Sequence, residues 1–210
     1  MLHNPAPPRR KALPCLTEDE VSGLLGAIGT STAKGKRDNA IVRLALGTGL
    51  RNCDIVALTL DDISWRADEI RLAQGKTSEP LALPLLPDVG NAIADYILNA
   101  RPESEDRRIF LHVKSPHVGL SGAAGPNIAE RYFAKAGIAR EAYNGKTFHA
   151  LRRTAGTRLV KSGAGTPMTA QILGQRRVDS AKRYIALDDG AMRECCLPLE
   201  RLASRKEGLQ

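Results

Sequence analysis

Hydrophobic and polar positions divide the chain into regimes of different period. Residues 1–14 show no period. Pro5, Pro7, Pro8 and Pro14 interrupt any helix, and Arg9, Arg10 and Lys11 make the stretch basic, so it reads as a tail or linker. Order is expected to begin at Thr17. Thr17-Glu18-Asp19-Glu20 has the spacing of a capping box and opens a helix running to about Ile28. Acidic residues in that first turn suit the helix dipole. A second helix is expected from about Arg37 to Gly47, with Ile41, Leu44 and Ala45 on one face and Gly47 and Gly49 ending it. A short third helix spans Arg51 to Leu58.

The period then changes to that of strands. Asp62–Trp65, Glu69–Gln74 and Leu81–Leu85 read as short strands, joined by a turn at Arg66–Asp68 and a polar loop, Gly75-Lys76-Thr77-Ser78-Glu79-Pro80. Consecutive strands with such short connections pair antiparallel. Helical spacing resumes after Pro87, over Asp88–Asn99, Asn127–Ala136, Thr147–Ser162, Thr166–Leu173, Ser180–Tyr184 and Gly190–Ser204. The glycine-rich stretch Ser115–Pro126 reads as a loop. The expected fold class is α+β: mostly helical, with one small three-stranded antiparallel sheet.

Composition narrows the function classes. At 210 residues, 42% hydrophobic and 26% charged, the chain can build a sizeable core. No run of about 18 apolar residues is present, so no membrane helix is expected. The N-terminus lacks the apolar stretch of a secretory signal. Cys15, Cys53, Cys195 and Cys196 have no C-x-x-C spacing, and two of them are adjacent. That usage fits reduced cysteines in the cytoplasm rather than a disulfide framework or a zinc site. Aromatic residues make up only 4%, which argues against base-stacking platforms.

Charge adds a positive clue. The net charge is +8, and it is localised: Arg131 to Ala186 holds 12 Lys/Arg against 2 Asp/Glu, while the rest of the chain sums to −2. A localised basic region suggests a polyanionic partner, most often nucleic acid.

Several short segments carry candidate chemistry. In a helix, His149 and Arg152 of Thr147-Phe148-His149-Ala150-Leu151-Arg152-Arg153-Thr154 share a face at i,i+3, with Leu151 and Ala155 free to anchor elsewhere. An imidazole beside a guanidinium makes sense when both address one anion: arginine forks onto phosphate oxygens, and histidine exchanges a proton near neutral pH. The simpler alternative is a basic amphipathic helix. Arg51, after the glycine break in Thr48-Gly49-Leu50-Arg51, has Asp54 one turn on; the simpler alternative there is an exposed ion pair. Gly75-Lys76-Thr77 is not a phosphate loop, because Ile70 stands where that spacing needs glycine and the segment lies between strands. Tyr184 follows Lys182 and Arg183, whose charges lower the cost of forming a phenolate.

Taken in order, these segments resemble the tyrosine recombinase (phage integrase) family over roughly Leu16 to Leu202. Thr48-Gly49-Leu50-Arg51 matches the family's T-G-L-R start. His149 to Thr154 match H-x-L-R-[HR]-[ST], and Leu173-Gly174-Gln175 matches the L-G-[HW] box except at its last position. Tyr184 lies nine residues after Gln175, where the family carries its nucleophile. The resemblance implies residues 15–210 as a catalytic domain with the N-terminal DNA-clamping domain absent, and a site-specific recombinase acting without metal, cofactor or ATP. It implies Tyr184 as nucleophile, Arg51 and Arg152 as phosphate clamps, and Lys76 as acid for the leaving oxygen. His149 is implied as base or phosphate ligand, Gln175 as phosphate ligand, and Asp54 as support for Arg51 or His149. Arg153, Arg176, Arg177, Lys182 and Arg183 are expected to contact double-stranded DNA. The helix at Gly190–Ser204 is expected to dock on a neighbouring protomer in a tetramer on DNA, with a monomer in free solution and association with the nucleoid. Gln175 donates a hydrogen bond but carries no charge. That substitution and the missing clamp leave an alternative, an impaired or accessory DNA-binding protein of the same fold; a type IB topoisomerase is a further one.

Overall fold

A computed structural model describes residues 13–73, 80–139 and 144–173. Helix α1 (Glu18–Ala27) starts as the capping box requires. The Thr17 hydroxyl accepts from the Glu20 amide at 3.2 Å, and the Glu20 carboxylate accepts from the Thr17 amide at 2.9 Å. Helix α2 (Ala33–Thr48) begins at Ala33 rather than Arg37. Its first turn, Ala33-Lys34-Gly35-Lys36, has no apolar stripe, so the periodic signal starts late; the Thr32 hydroxyl caps it at the Gly35 amide, 3.1 Å away. Helix α3 (Asn52–Ala57) uses Arg51 as its cap rather than its first residue, the Arg51 carbonyl accepting from the Asp54 and Ile55 amides at 3.0 Å.

A single 3-10 turn at Leu60–Asp62 precedes the sheet and takes the place of the expected strand start at Asp62. Strands β1 (Ile63–Ser64), β2 (Glu69–Ala73) and β3 (Pro80–Pro84) form an antiparallel sheet in that order. Ile63 pairs with Ile70 and Ile70 with Leu83, so one row of side chains faces the core at 6%, 0% and 2% exposure. The β2–β3 pairing ends at Ala73 opposite Pro80, and the connection holding Lys76 lies outside the described residues.

Helices α4 (Pro87–Asn99), α5 (Ala124–Lys135), α6 (Phe148–Lys161) and α7 (Thr166–Ile172) follow. Helix α5 corrects the expected loop at its end: Ala124, Gly125 and Pro126 form the first helical turn, where proline's missing N–H costs nothing. Helix α2 is the hub, packing against both α4 and α6 with Ala40, Ile41, Leu44 and Ala45 buried. Each fully buried leucine or isoleucine there contributes about 1.5–3 kcal/mol relative to exposure.

The segment between α4 and α5 is irregular but tightly bonded. The Asp106 carboxylate accepts from the Arg108 guanidinium at 2.5 and 3.0 Å, from the Arg108 amide at 3.0 Å and from the Gly119 amide at 2.7 Å. These donors hold its carboxyl well below the usual carboxylate range, Arg108 above all. A depressed carboxyl stabilises the fold fully above about pH 4, its unfolded value, and loses that contribution as the pH falls further. Asp106→Asn is therefore expected to lower the thermal midpoint at pH 7 and to narrow the gap between midpoints at pH 7 and pH 3. An unchanged midpoint at pH 7 would remove Asp106 from this role.

Candidate active site

Three separated stretches of sequence meet at one place. Gly49 ends α2 in the left-handed region, φ +65°, with its amide donating to Ala45 O at 3.0 Å. The Thr48 hydroxyl donates to Leu44 O at 2.6 Å and accepts from the Leu50 amide at 3.2 Å, fixing the exit of the chain. A Cβ on Gly49 would lie 2.4 Å from Leu173 Cδ2 and 3.2 Å from Ala155 Cβ. Glycine is needed here twice, for the dihedral and for the approach of α6 and the end of α7.

That approach positions Arg152. Helix α6 buries Phe148, Ala150, Leu151 and Ala155 in the core, which anchors it as the sequence suggests. Arg152 is 8% exposed; Nη1 donates to Gly49 O at 2.5 Å and Nη2 to Leu173 O at 2.7 Å. Its partners lie 103 and 21 residues away in sequence. His149, one turn earlier on α6, is exposed.

Arg51 stands at the start of α3 with Nη1 3.8 Å from Asp54 Oδ2. The alternative of an exposed ion pair is corrected: the Asp54 side chain is 1% exposed and that of Arg51 19%. Asp54 is buried in α3 together with Ile55 and Val56, so its carboxylate faces the Arg51 guanidinium from the interior. Beside it, Asn52 Nδ2 donates to Gly122 O at 2.6 Å. A Cβ on Gly125 would lie 2.2 Å from Asn52 Oδ1 and 3.1 Å from Phe148 Cγ, so the start of α5 is wedged between the starts of α3 and α6.

Gly49→Ala is expected to destabilise the fold by about 2–4 kcal/mol, the sum of an alanine forced into the left-handed region and an overpacked contact. Denaturant titration measures it. A loss under about 0.5 kcal/mol would show that Leu173 simply moves aside.

Three cations of the basic region are paired with carboxylates far away in sequence. Lys146 donates to both Glu20 carboxylate oxygens at 2.6 Å, Arg158 pairs with Glu18, and Arg131 Nη1 lies 3.1 Å from Asp38 Oδ2. Arg158 holds the Glu18 carboxyl below its ordinary value; for Glu20, burial opposes the shift but Lys146 and the Thr17 amide outweigh it. Arg153, expected on DNA, donates to Pro14 O at 3.0 Å and Gly145 O at 2.5 Å and so ties the N-terminal segment to α6. The Thr154 hydroxyl does the same from the next position, accepting from the Leu16 amide at 2.9 Å.

Lys76, Gln175, Arg176, Arg177, Lys182, Arg183 and Tyr184 lie outside the described residues, as do the expected helices at Ser180–Tyr184 and Gly190–Ser204. One group that sequence reasoning missed is the buried cluster around Asp38, which accepts from Arg37, Arg131 and the Tyr132 hydroxyl. A signal existed: Arg37 sits at helical spacing with Ile41 and Leu44, on the apolar face.

A profile of the phage integrase family matches residues 14–190, which is most of the chain and includes all the segments assembled here. The chain belongs to the phage integrase family. It is 38% identical over 181 residues to the integrase/recombinase y4rA of Sinorhizobium fredii, covering 86% of this chain and 43% of that protein. It is 30% identical over 199 residues to the tyrosine recombinase XerD of Mycobacterium tuberculosis, covering 90% of this chain and 62% of the relative. The chain thus spans roughly half the length of these relatives. Its fold is that of the solved tyrosine recombinases. The XerH recombinase in a post-cleavage complex with its palindromic difH substrate superimposes with a TM-score of 0.73 at 20% identity, over 94% of this chain and 54% of that one. Among the described residues, no helix is long and apolar enough to cross a membrane.

Proposed function

We propose that the chain is the catalytic domain of a site-specific DNA recombinase that cleaves and rejoins strands by transesterification. The observation that carries this is Arg152. One buried guanidinium binds the carbonyls of Gly49 and Leu173, and so draws together the T-G-L-R segment, the His149–Thr154 segment and the Leu173-Gly174 box. A fold that needed only DNA binding has no use for that convergence.

In the proposed reaction, the Tyr184 oxygen attacks a DNA phosphorus and the bond to the 5′-oxygen breaks. The products are a 3′-phosphotyrosyl link and a 5′-hydroxyl. His149 takes the tyrosine proton or bonds the phosphate, and Lys76 gives a proton to the leaving 5′-oxygen. Attack by a 5′-hydroxyl of another strand reverses the step, so bonds are conserved and no ATP is required. Arg51 and Arg152 face the charge that builds on the non-bridging oxygens, the role a metal fills in other phosphoryl transfers; donors of this kind are each worth about 2.7–4 kcal/mol. Asp54 positions Arg51, and Gln175 adds a neutral hydrogen bond to the phosphate. Arg176, Arg177, Lys182 and Arg183 contact the duplex, and the segment after Tyr184 joins protomers into a tetramer on DNA.

The test is covalent capture. Nicked suicide duplexes covering the DNA that flanks the protein's own gene are incubated with it in EDTA without ATP. A protein–DNA adduct on a denaturing gel is expected. Tight binding with no adduct would replace this reading with that of an accessory DNA-binding protein.

A further inference from the structure

A second group of cations lies on other elements of the fold. A cavity of about 360 Å³ is bounded by Lys34 and Arg37 of α2, Lys114 and Ser121 of the irregular segment between α4 and α5, and Asn127 and Arg131 of α5. No carboxylate lines it among the described residues. Asp38, fully buried, is shared by the two lining arginines: Oδ1 accepts from Arg37 at 3.0 and 2.7 Å, and Oδ2 from Arg131 and the Tyr132 hydroxyl at 3.1 Å. Arg37, 7% exposed, is fixed further by donating to Leu111 O at 2.9 Å. The two arginines are therefore held in place by one carboxylate that pairs with both.

The crowding is felt at Lys34. Partial burial and the facing charge of Arg131 push its ammonium down, Asp38 pulls the other way, and Arg37 and Lys114 push down again. An anion in the cavity would reverse that repulsion. The cavity is linked to the candidate active site through one segment. Ser121 and Ala124 line it, and between them Gly122 O accepts from the side chain of Asn52, the neighbour of Arg51.

We propose that the cavity is a second phosphate-binding site that holds a backbone phosphate of the duplex away from the cleaved bond. The proposal rests on the DNA-acting reading above. It adds a grip on the substrate that the family motifs do not contain.

The test uses Lys34→Ala/Lys114→Ala. Both side chains are exposed, so the fold is expected to persist, checked by the thermal midpoint. Duplex affinity is measured by anisotropy across a series of salt concentrations, and inorganic phosphate binding by amide NMR shifts around the cavity. Loss of one phosphate contact should weaken duplex binding about tenfold near 0.1 M salt and reduce the slope of log K against log salt by about 0.9. Unchanged affinity and slope overturn the proposal. Loss of phosphate binding with duplex affinity intact also overturns it, and assigns the cavity to a free phosphate. A wild-type chain that binds duplex through the cavity yet forms no adduct refutes the transesterification reading alone. A wild-type chain that binds no duplex refutes both.

Discussion

Tyr184→Phe is expected to abolish the covalent adduct while leaving duplex affinity within about twofold of wild type. The two readouts separate because, in the proposed reaction, the phenolic oxygen forms the new bond to phosphorus, whereas affinity comes from many charged contacts that do not involve it. Lys182 and Arg183 flank the tyrosine in sequence and remain in the variant, so local attraction for phosphate is kept. The loss should be complete rather than graded, since phenylalanine has no oxygen to attack with. Denaturing gels of suicide substrates measure the adduct, and anisotropy measures binding. An adduct still formed by Tyr184→Phe would mean that another nucleophile does the chemistry, and the alignment of Tyr184 with the family's tyrosine would fail with it.

Much of this organisation is legible in the sequence, and the places where it is not have physical causes. Helix α1 is legible because Thr17 and Glu20 cap each other locally, and a capping box needs no tertiary partner. The sheet is legible because Ile63 and Ile70 alternate with polar neighbours and Leu83 follows after a short polar connection. The start of α2 is hidden because Lys34, Gly35 and Lys36 present no apolar stripe, although Thr32 caps them. The start of α5 is hidden because Gly125 and Pro126 look like loop residues; only the close packing of Asn52 and Phe148 explains a glycine in a helix there.

For the candidate site, motif order singles out Arg51, His149 and Arg152, but the ion pairs of Lys146 and Arg158 are not visible in a count of charges. Glu18 and Glu20 lie 140 and 126 residues from the cations they bind. Pairing at that distance depends on α1 packing beside α5, with which α6 also packs, and no local pattern reports it. The tie of Arg153 to Pro14 and Gly145 is hidden for the same reason. The Asp38 cluster is the converse case, charged residues on an apolar face that become intelligible once Arg131 and Tyr132 arrive from α5.

Under the proposed function Arg152 serves both architecture and chemistry, so its replacement should damage both in ways that can be separated. Arg152→Ala removes the donor from the Gly49 and Leu173 carbonyls at a site only 8% exposed. Leaving buried acceptors unsatisfied costs about 1–3 kcal/mol, readable as a lower denaturation midpoint. It also removes one clamp on the transition state, for which the expected loss in cleavage rate is about 10²–10³-fold. Arg152→Lys divides these effects. Lysine keeps the charge, but its ammonium is a point donor and cannot span two carbonyls with a planar fork. A guanidinium carries five donors in one plane, so the same group can hold two carbonyls and present an edge to a phosphate. Arg152→Lys is accordingly expected to bind duplex nearly as well as wild type, yet to form adduct at least tenfold more slowly, at a temperature where both proteins are folded. A lysine variant that cleaves at the wild-type rate would reduce Arg152 to a source of charge, and the joining of the three segments through its fork would then have no part in the chemistry.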